Sequence, residues 1–331
     1  MVLPRMSGPK VGGEQYFFKS WMTKVGLQCV LLFVTAPILF GIHGCLLHMQ
    51  HDGNALPVTT IAQSPTREQK RNEHVGPIMF SRIRTDRAGA SIQDMLMAHA
   101  FAFSESVSYG GACHEGVNSS LGNNLPRLLE SLGLAEILPF ACPLGGNGMI
   151  VDFHNYYTKD TSIFTNEWLD LIRSRVKYIA THKKPGNTED VAVHIRRGDV
   201  DPCQYPTRYL PNSYYLKVLD RLQNGKSTRY NITIYSGKES FEGWRDFESR
   251  GYGKEFSDDI ELVWSSMLNA DILVMSKSSF SLVPAVLSRG TVIYTPFWHK
   301  PLAQWQVVEK GIVSSIAQEV ENLRQQCSHL I

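Results

Sequence analysis

Two adjacent arginines and an aspartate, Arg196, Arg197 and Asp199, follow the apolar run Val191–Ile195. Arginine carries a planar, permanently charged group that can bind a phosphate through two parallel hydrogen bonds. Two arginines in succession therefore suit a diphosphate better than a single charge would. Since open parallel α/β sheets bind ligands at the carboxyl ends of their strands, the sequence predicts an anion site here.

Four serines in the run Ser276–Ser281 form a second candidate anion site, between a predicted strand at Asp271–Met275 and a predicted helix at Ser281–Ser288. Hydroxyl groups and backbone N–H groups at the start of a helix donate to phosphate oxygens. Helix capping by serine is the alternative, but capping needs only one of the four. We therefore expect this loop to contact phosphate.

The turn Arg84–Ala90 is a third candidate, with two arginines and Gly89 just before a helix that Ser91 is predicted to cap. A helix start next to cationic side chains can bind an anion. A tight connection with solvated charges is the alternative interpretation. We expect Arg87 and Gly89 to contribute to the anion site.

An alternation of strands and helices must position these residues, and it restarts after the break Lys183–Asn187, which we interpret as an interdomain hinge. Such alternation is typical of parallel sheets covered by helices. It predicts an α/β protein with two Rossmann-like domains that face each other across a cleft. The predicted strands are Ile78–Ile83, Tyr109–Cys113, Val191–Ile195, Tyr230–Tyr235, Asp271–Met275 and Thr291–Tyr294, and the predicted helices are Ser91–Val107, Thr165–Thr181, Pro211–Leu222, Phe241–Arg250, Asp259–Asn269, Ser281–Ser288 and Ala303–Cys327.

The segment Val25–Leu47 contains no Asp, Glu, Lys or Arg and is long enough to span a bilayer as a helix. A cleavable signal peptide has a shorter apolar core, so we predict a transmembrane signal anchor. Arg5, Lys10, Lys19 and Lys24 precede it, which predicts a cytosolic N-terminus. The predicted layout is a cytosolic tail at 1–24, the anchor at 25–47, a stem at 48–75 and two domains at 76–186 and 187–331.

A lumenal location of the residues after the anchor agrees with two further features. Asn118 and Asn231 each begin an N-glycosylation triplet. Cys113, Cys142, Cys203 and Cys327 form an even set that allows three pairings, with one or two disulfides or four buried thiols as the alternatives. The formal net charge of +2 over 331 residues does not favour nucleic-acid binding.

The order of these motifs resembles the fucosyltransferase superfamily, which groups the α1,2-, α1,6- and protein O-fucosyltransferases. Residues 194–199 (HIRRGD) match its H-x-R-R-x-D motif, Tyr214-Tyr215-Leu216 follows in the next helix, and residues 278–281 (SSFS) match its serine-rich loop. The resemblance covers residues 78–300 and is more specific in the second half. The chain departs from the α1,2 enzymes at Asp86–Gly89, where they carry a G-x-G-N-type turn, and at Leu282–Pro284, where they carry tryptophans.

The resemblance implies a metal-independent, inverting glycosyltransferase of the GT-B architecture that takes L-fucose from GDP-β-L-fucose. Arg196 would hold the donor diphosphate and stabilise the GDP leaving group, and Arg197 would assist it or order the loop. The implied donor-binding residues are His194, Ser278, Ser279, Phe280 and Ser281, in addition to Arg87 and Gly89. The expected partners are a GDP-sugar, a glycan or glycoprotein acceptor and the Golgi or ER membrane, with no cofactor and no nucleic acid.

Three alternatives concern the carboxylates after the arginines. Asp199 is the candidate general base, with Asp201 as the other local option. Asp199-Val200-Asp201 also spells D-x-D, the motif by which metal-dependent glycosyltransferases hold a cation, although two arginines next to it would repel that cation. Arg197-Gly198-Asp199 is the tripeptide of adhesion proteins and suggests a non-catalytic glycan-binding or adhesion protein instead.

Overall fold

The computed structural model describes residues 77–84, 87–113, 124–144, 148–152, 161–178, 187–224 and 227–327. The predicted tail, anchor and stem and most of the predicted hinge lie outside these residues. Within the described residues, no helix is both long and apolar enough to cross a membrane. Residues Lys70–Ile331 form one compact unit that contains two parallel sheets, so the α/β class is confirmed. The domain boundary predicted at 186/187 falls between the sheets and stays a prediction.

The first sheet has three parallel strands in the order β2-β1-β3, so β1 is central. The apolar side chains of its crossover helix, among them Ile92, Met95 and Leu96, are buried. The strands are β1 (Ile78–Arg82), β2 (Ser108–Cys113) and β3 (Met149–Val151), and the helices of this half are α1 (Ala88–Ser104), α2 (Asn124–Leu132) and α3 (Asn166–Arg175).

Two helices of the first half differ from their predicted bounds. Helix α1 begins before Ser91, with Arg87 as its N-cap residue. Ser91 is buried inside the first turn, where its hydroxyl donates to the carbonyls of Arg84 and Arg87 and therefore does not cap the helix. Helix α3 begins next to Thr165, its N-cap residue and the predicted start of the helix, but it ends at Arg175 and not at Thr181, because Val176 adopts an extended conformation.

The second sheet has six parallel strands in the order β6-β5-β4-β7-β8-β9. In order of appearance this is 3-2-1-4-5-6, the order of a dinucleotide-binding sheet, whose direction of winding reverses between its first and fourth strands. That switch point lies between β4 and β7. The strands are β4 (Thr188–Ile195), β5 (Arg229–Ser236), β6 (Gly253–Glu255), β7 (Ile272–Val274), β8 (Thr291–Tyr294) and β9 (Gln306–Val307), and the helices are α4 (Asn212–Gln223), α5 (Arg245–Glu248), α6 (Ile260–Asn269), α7 (Ser279–Leu287) and α8 (Lys310–Cys327).

The predicted strands of this half are confirmed because the central strands are apolar on both faces. Val191, Val193 and Ile195 lie on one face of β4 and Ala192 lies on the other, and all four are buried. The predicted helix Phe241–Arg250 is wrong, since only the turn Arg245–Glu248 is helical. The predicted C-terminal helix begins at Lys310, after the short strand β9. Strands β3, β6 and β9 are too short to leave an alternating pattern.

All four cysteines of the described part are paired, as Cys113–Cys142 and Cys203–Cys327. This is one of the three pairings that the sequence left open. The second disulfide ties the loop after β4 to the end of α8. Of the two glycosylation triplets, Asn118 lies outside the described residues, and Asn231 is exposed on β5 with its amide donating to Asp190.

Candidate functional site

A side-chain hydrogen bond crosses the switch point of the second sheet, between the end of β4 and the segment that follows β7. His194, the penultimate residue of β4, shares a 2.7 Å hydrogen bond through Nδ1 with Oγ of Ser276, which follows β7. The imidazole lies 5.1 Å from the ring of Phe280, measured between centroids. Burial, together with the positive charge of Arg196, lowers the pKa of His194 to about 3, so the imidazole is neutral at physiological pH. His194 therefore joins the arginine-containing segment that follows β4 to the run Ser276–Ser281, which we call the serine loop.

Arg196 lies directly beyond the end of β4 and is bound to Asp199. Its Nη2 donates to Asp199 Oδ2 at 2.6 Å, and its Nε donates to Oδ1 at 3.3 Å. The same Oδ2 accepts a 2.6 Å hydrogen bond from Nη1 of Arg87, the N-cap residue of α1. Asp199 thus joins two arginines that come from opposite halves of the chain.

The protonation state of Asp199 follows from these contacts. Burial alone would raise its pKa, but the hydrogen bonds and charges of Arg196 and Arg87 outweigh burial and lower the pKa below its ordinary value. The carboxylate stays ionised and accepts hydrogen bonds at both oxygens. These contacts make Asp199 a weak base and a strong orienting group for Arg196.

Arg197 has an entirely different environment, although it is the next residue. Its side chain is only 1% exposed. Its Nη2 donates to the carbonyl of Leu210 and to Oδ1 of Asn212, each at 2.9 Å. The guanidinium lies 4.4 Å from the centre of the Tyr209 ring and 3.6 Å from a carboxylate oxygen of Glu242. Protein groups therefore surround this arginine, and it holds the end of the loop that begins at Asp199.

Most hydroxyl groups of the serine loop already form hydrogen bonds within the protein. Ser278 caps α7 by accepting from the backbone N–H of Phe280, and the Ser281 hydroxyl donates to the carbonyl of Ser278. Ser276, Ser278 and Ser281 are all buried. Lys277, Ser279 and Phe280 are the partly exposed residues of the loop. The last two are the members of the predicted donor-binding set that a ligand can reach from this loop.

The N-terminal turns of α1 and α7 lie against each other. A Cβ atom added to Gly89 would lie 2.9 Å from both the Cα and the backbone nitrogen of Phe280. Such contact is closer than any side chain permits, so this position requires glycine. Since each helix start carries partial positive charge, the two together with Arg196 form a cationic surface at the switch point.

Lys277 is a charged residue of this site that the sequence analysis missed. Its Nζ donates to the carbonyl of Thr207 at 2.9 Å, and partial burial lowers its pKa. The signal was present in the sequence, because Lys277 is the only cation within the serine loop. The lysine connects that loop to the loop that follows Asp199.

The contacts of Asp201 and Arg197 bear on the three alternatives predicted for this segment: a second candidate base, an adhesion tripeptide and a D-x-D metal site. Asp201 Oδ1 accepts from the backbone N–H groups of Cys203 and Gln204, and so stabilises its own turn. The burial of Arg197 keeps the arginine of the Arg-Gly-Asp tripeptide from reaching a partner. Across the described ranges, no group of three or more His, Cys, Asp or Glu residues is arranged to hold a metal ion.

No protein-family model and no curated protein matches the chain. Two solved structures show a weak likeness, each at 10% sequence identity. The E. coli heptosyltransferase WaaC with ADP-2-deoxy-2-fluoro heptose has a TM-score of 0.36, over 75% of this chain and 99% of that chain. The E. coli ADP-heptose LPS heptosyltransferase II has a TM-score of 0.34, over 76% of this chain and 99% of that chain. Similarity at this level does not assign the fold or the activity of these two enzymes to this protein.

Proposed function

We propose that this protein is an inverting GT-B glycosyltransferase that transfers L-fucose from GDP-β-L-fucose to a glycan or glycoprotein. One observation carries the proposal: Arg196 lies at the switch point of a 3-2-1-4-5-6 sheet, beside the two helix starts that meet at Gly89. That is where sheets of this topology bind nucleotide phosphates. The motif resemblance then supports a GDP-sugar as the nucleotide and fucose as the sugar.

Arg196 is the residue to which we assign leaving-group stabilisation. Its Nε and Nη2 edge is occupied by Asp199, and we assign the diphosphate to its Nη1 edge. Negative charge develops on the β-phosphate as its bond to the sugar breaks, and a fixed donor stabilises that charge without further reorganisation. Ser279, Phe280 and the backbone at the start of α7 complete the phosphate contacts in this proposal.

His194, Arg197 and Asp199 have supporting roles. Neutral His194 fixes the serine loop against β4, Arg197 orders the loop after Asp199, and Asp199 orients Arg196 and Arg87. Ser278 and Ser281 shape the serine loop from within, and Gly89 allows the two helix starts to approach. These assignments follow the contacts of each side chain.

The net reaction balances without a redox partner. An acceptor hydroxyl oxygen forms a bond to the anomeric carbon of fucose, and the bond from that carbon to the β-phosphate oxygen breaks. GDP leaves with the bonding electron pair, and the hydroxyl proton is released. No metal ion is required in this scheme, because cationic side chains and helix starts neutralise the phosphate charge.

We also propose that the protein acts in the lumen of the Golgi or ER, held by the segment at residues 25–47. The two disulfides support an oxidising compartment, where such bonds persist. A D-x-D metal site is the less favoured alternative, because both oxygens of Asp199 accept hydrogen bonds from arginine.

Release of GDP or UDP from a panel of nucleotide sugars, measured on the full-length protein in detergent with EDTA, tests the proposal. We expect GDP-fucose to be used and Arg196→Ala to lower the rate about 100- to 1,000-fold. Arg221→Ala is the matched control, because Arg221 of α4 is also ion-paired, with Glu309, the residue that precedes α8. Wild-type rates in Arg196→Ala with every donor, or activity only without EDTA, would refute the proposed mechanism.

A further inference from the structure

Two exposed aromatic rings and an arginine lie together near the site. The guanidinium carbon of Arg208 lies 5.4 Å from the ring centre of Trp298 and 5.7 Å from that of Tyr205. Trp298 is 37% exposed and Tyr205 is 42% exposed. We call these three residues the aromatic platform. Large exposed aromatic residues that cluster on a surface are typical of binding sites.

The aromatic platform is built on the edge of the sheet that holds the switch point. Tyr205 and Arg208 belong to the loop after β4, and Trp298 belongs to the loop after β8. Both loops leave the carboxyl ends of parallel strands, so they emerge at the same edge as Arg196. Lys277 of the serine loop donates to the carbonyl of Thr207, the residue next to Arg208.

The loop after β4 is fixed before any ligand binds. Asp201 caps its turn, and the backbone N–H groups of Arg208 and Tyr209 donate to the carbonyl of Tyr205. The disulfide Cys203–Cys327 ties it to α8. A preorganised surface loses little conformational entropy on binding.

The turn that carries Trp298 is fixed as well. The Thr295 hydroxyl donates to the carbonyl of Met275 at 2.8 Å and shares a 2.7 Å hydrogen bond with the Tyr214 hydroxyl. The Tyr294 hydroxyl donates to the carbonyl of His299. Trp298 is therefore presented by a turn whose two sides are anchored in the core.

We propose that the aromatic platform binds the acceptor glycan. The electron-rich face of an aromatic ring attracts the slightly positive C–H groups on the apolar face of a pyranose. Arg208 adds N–H donors for the sugar hydroxyl groups. A nucleobase would be enclosed in a pocket, whereas an open platform suits a ligand that extends beyond it and stays partly solvated. This assignment rests on the proposed function, since it names that function's acceptor side.

Binding of glycans to the full-length protein in EDTA, without donor, tests the aromatic platform. An array of N- and O-linked glycans identifies the best-bound glycan, which is then titrated by isothermal calorimetry, a readout that does not depend on Trp298, and used as acceptor in transfer assays. We expect Trp298→Ala and Tyr205→Ala each to weaken binding about tenfold and to raise the acceptor KM by a similar factor. Arg208→Ala tests the hydrogen-bonding part of the platform in the same way.

Phe103→Ala is the matched control, because Phe103 is 41% exposed but lies near the end of α1. Thermal unfolding of each variant separates lost binding from lost folding, and Trp298→Phe should restore part of the affinity. Absence of glycan binding in the wild type, unchanged binding in the platform variants, or an equal loss of GDP affinity in Trp298→Ala would overturn the assignment.

The two proposals fail in different ways. If the wild type binds glycans through the aromatic platform but releases no nucleotide from any donor, the transferase proposal fails and the platform stands. If GDP is released from GDP-fucose and the platform variants bind and use glycans like the wild type, the platform fails and the transferase proposal stands.

Discussion

The carboxyl end of β4 has an open side and an enclosed side, each built around one of two adjacent arginines. On the open side, Arg196 is 18% exposed and shares Asp199 with Arg87. On the enclosed side, Arg197 is bound by Asn212, Glu242 and backbone carbonyls. The two side chains are adjacent in sequence but have no hydrogen-bond acceptor or ion-pair partner in common among those described.

The difference shows how one sequence motif can serve two purposes. A partly exposed arginine that is fixed by a carboxylate can still bind a ligand, so Arg196 is suited to the chemical role proposed for it. An arginine whose donors are all directed at protein acceptors stabilises the loop that it holds, so Arg197 suits structure. In the proposed function, the two adjacent arginines are therefore one binding residue and one structural residue.

The largest expected effect contrasts the stability of the two arginine variants. Arg197→Ala removes a buried cation with several hydrogen bonds, leaves the partly buried Glu242 without its partner, and should lower the free energy of unfolding by about 3–5 kcal/mol. Arg196→Ala removes a more exposed pair and should change it by less than about 1 kcal/mol. Urea denaturation followed by circular dichroism measures both. Similar losses in the two variants would remove the distinction between an open and an enclosed side.

The second prediction concerns the contact between helix starts on the open side. Gly89→Ala would place a Cβ atom 2.9 Å from the backbone of Phe280 and should destabilise the protein by about 1–3 kcal/mol. Gly311→Ala is the control, because no atom lies within 4 Å of an added Cβ there. Thermal unfolding should show a lower midpoint for the first variant and an unchanged or higher midpoint for the second. A midpoint at the wild-type value in Gly89→Ala would mean that the two helix starts can separate at no cost.

The third prediction concerns how the free energy of unfolding depends on pH, through the buried residue His194 of β4. The pKa of His194 is about 3 in the folded protein against an ordinary 6.5, so only the unfolded chain binds this proton between those values. The resulting stability is complete above pH 6.5 and is lost as the pH falls, by about 2 kcal/mol at pH 5. Asp199, whose pKa is lowered from the ordinary 3.8, acts in the same direction but mainly below pH 5, where the carboxylate of the unfolded chain becomes protonated.

A comparison of unfolding at pH 7 and pH 5 in the wild type and in His194→Gln isolates this contribution. His99, whose burial lowers its pKa to about 4, acts in the same direction in both proteins and cancels in the comparison. The variant should lose less stability than the wild type between the two pH values. An equal loss in both proteins would show that His194 is solvated or already protonated.

The smallest expected effect is that of Arg87→Ala. Arg87 is largely exposed, and an exposed ion pair contributes less than about 1 kcal/mol. The donor KM should rise several-fold at low ionic strength, and the difference should vanish in about 1 M salt, where such pairs are screened. A loss as large as that of Arg196→Ala would place Arg87 on the reacting phosphate itself.

The strands that place the site were predictable, since Val191–Val193 and Ile272–Met275 are apolar runs and polar residues follow the predicted strands at Arg196 and Ser276. The short strands and the start of α1 were not, because two or three residues carry no periodicity and because Ser91 resembles a cap in sequence. The role of Gly89 depends on Phe280, which lies far along the chain, and the disulfide pairing depends on which cysteines fold close together.

The sequence by itself determined the alternation of strands and helices, the two arginines at a strand end and the serine loop, because apolar periodicity and residue chemistry are local. Only the tertiary structure decided that His194 bonds Ser276, that Asp199 joins Arg87 to Arg196, and that Arg197 is enclosed. It also brought Tyr205, Arg208 and Trp298 together from two loops. These outcomes depend on the order of strands in the sheet and on burial, both of which arise from contacts between residues distant along the chain.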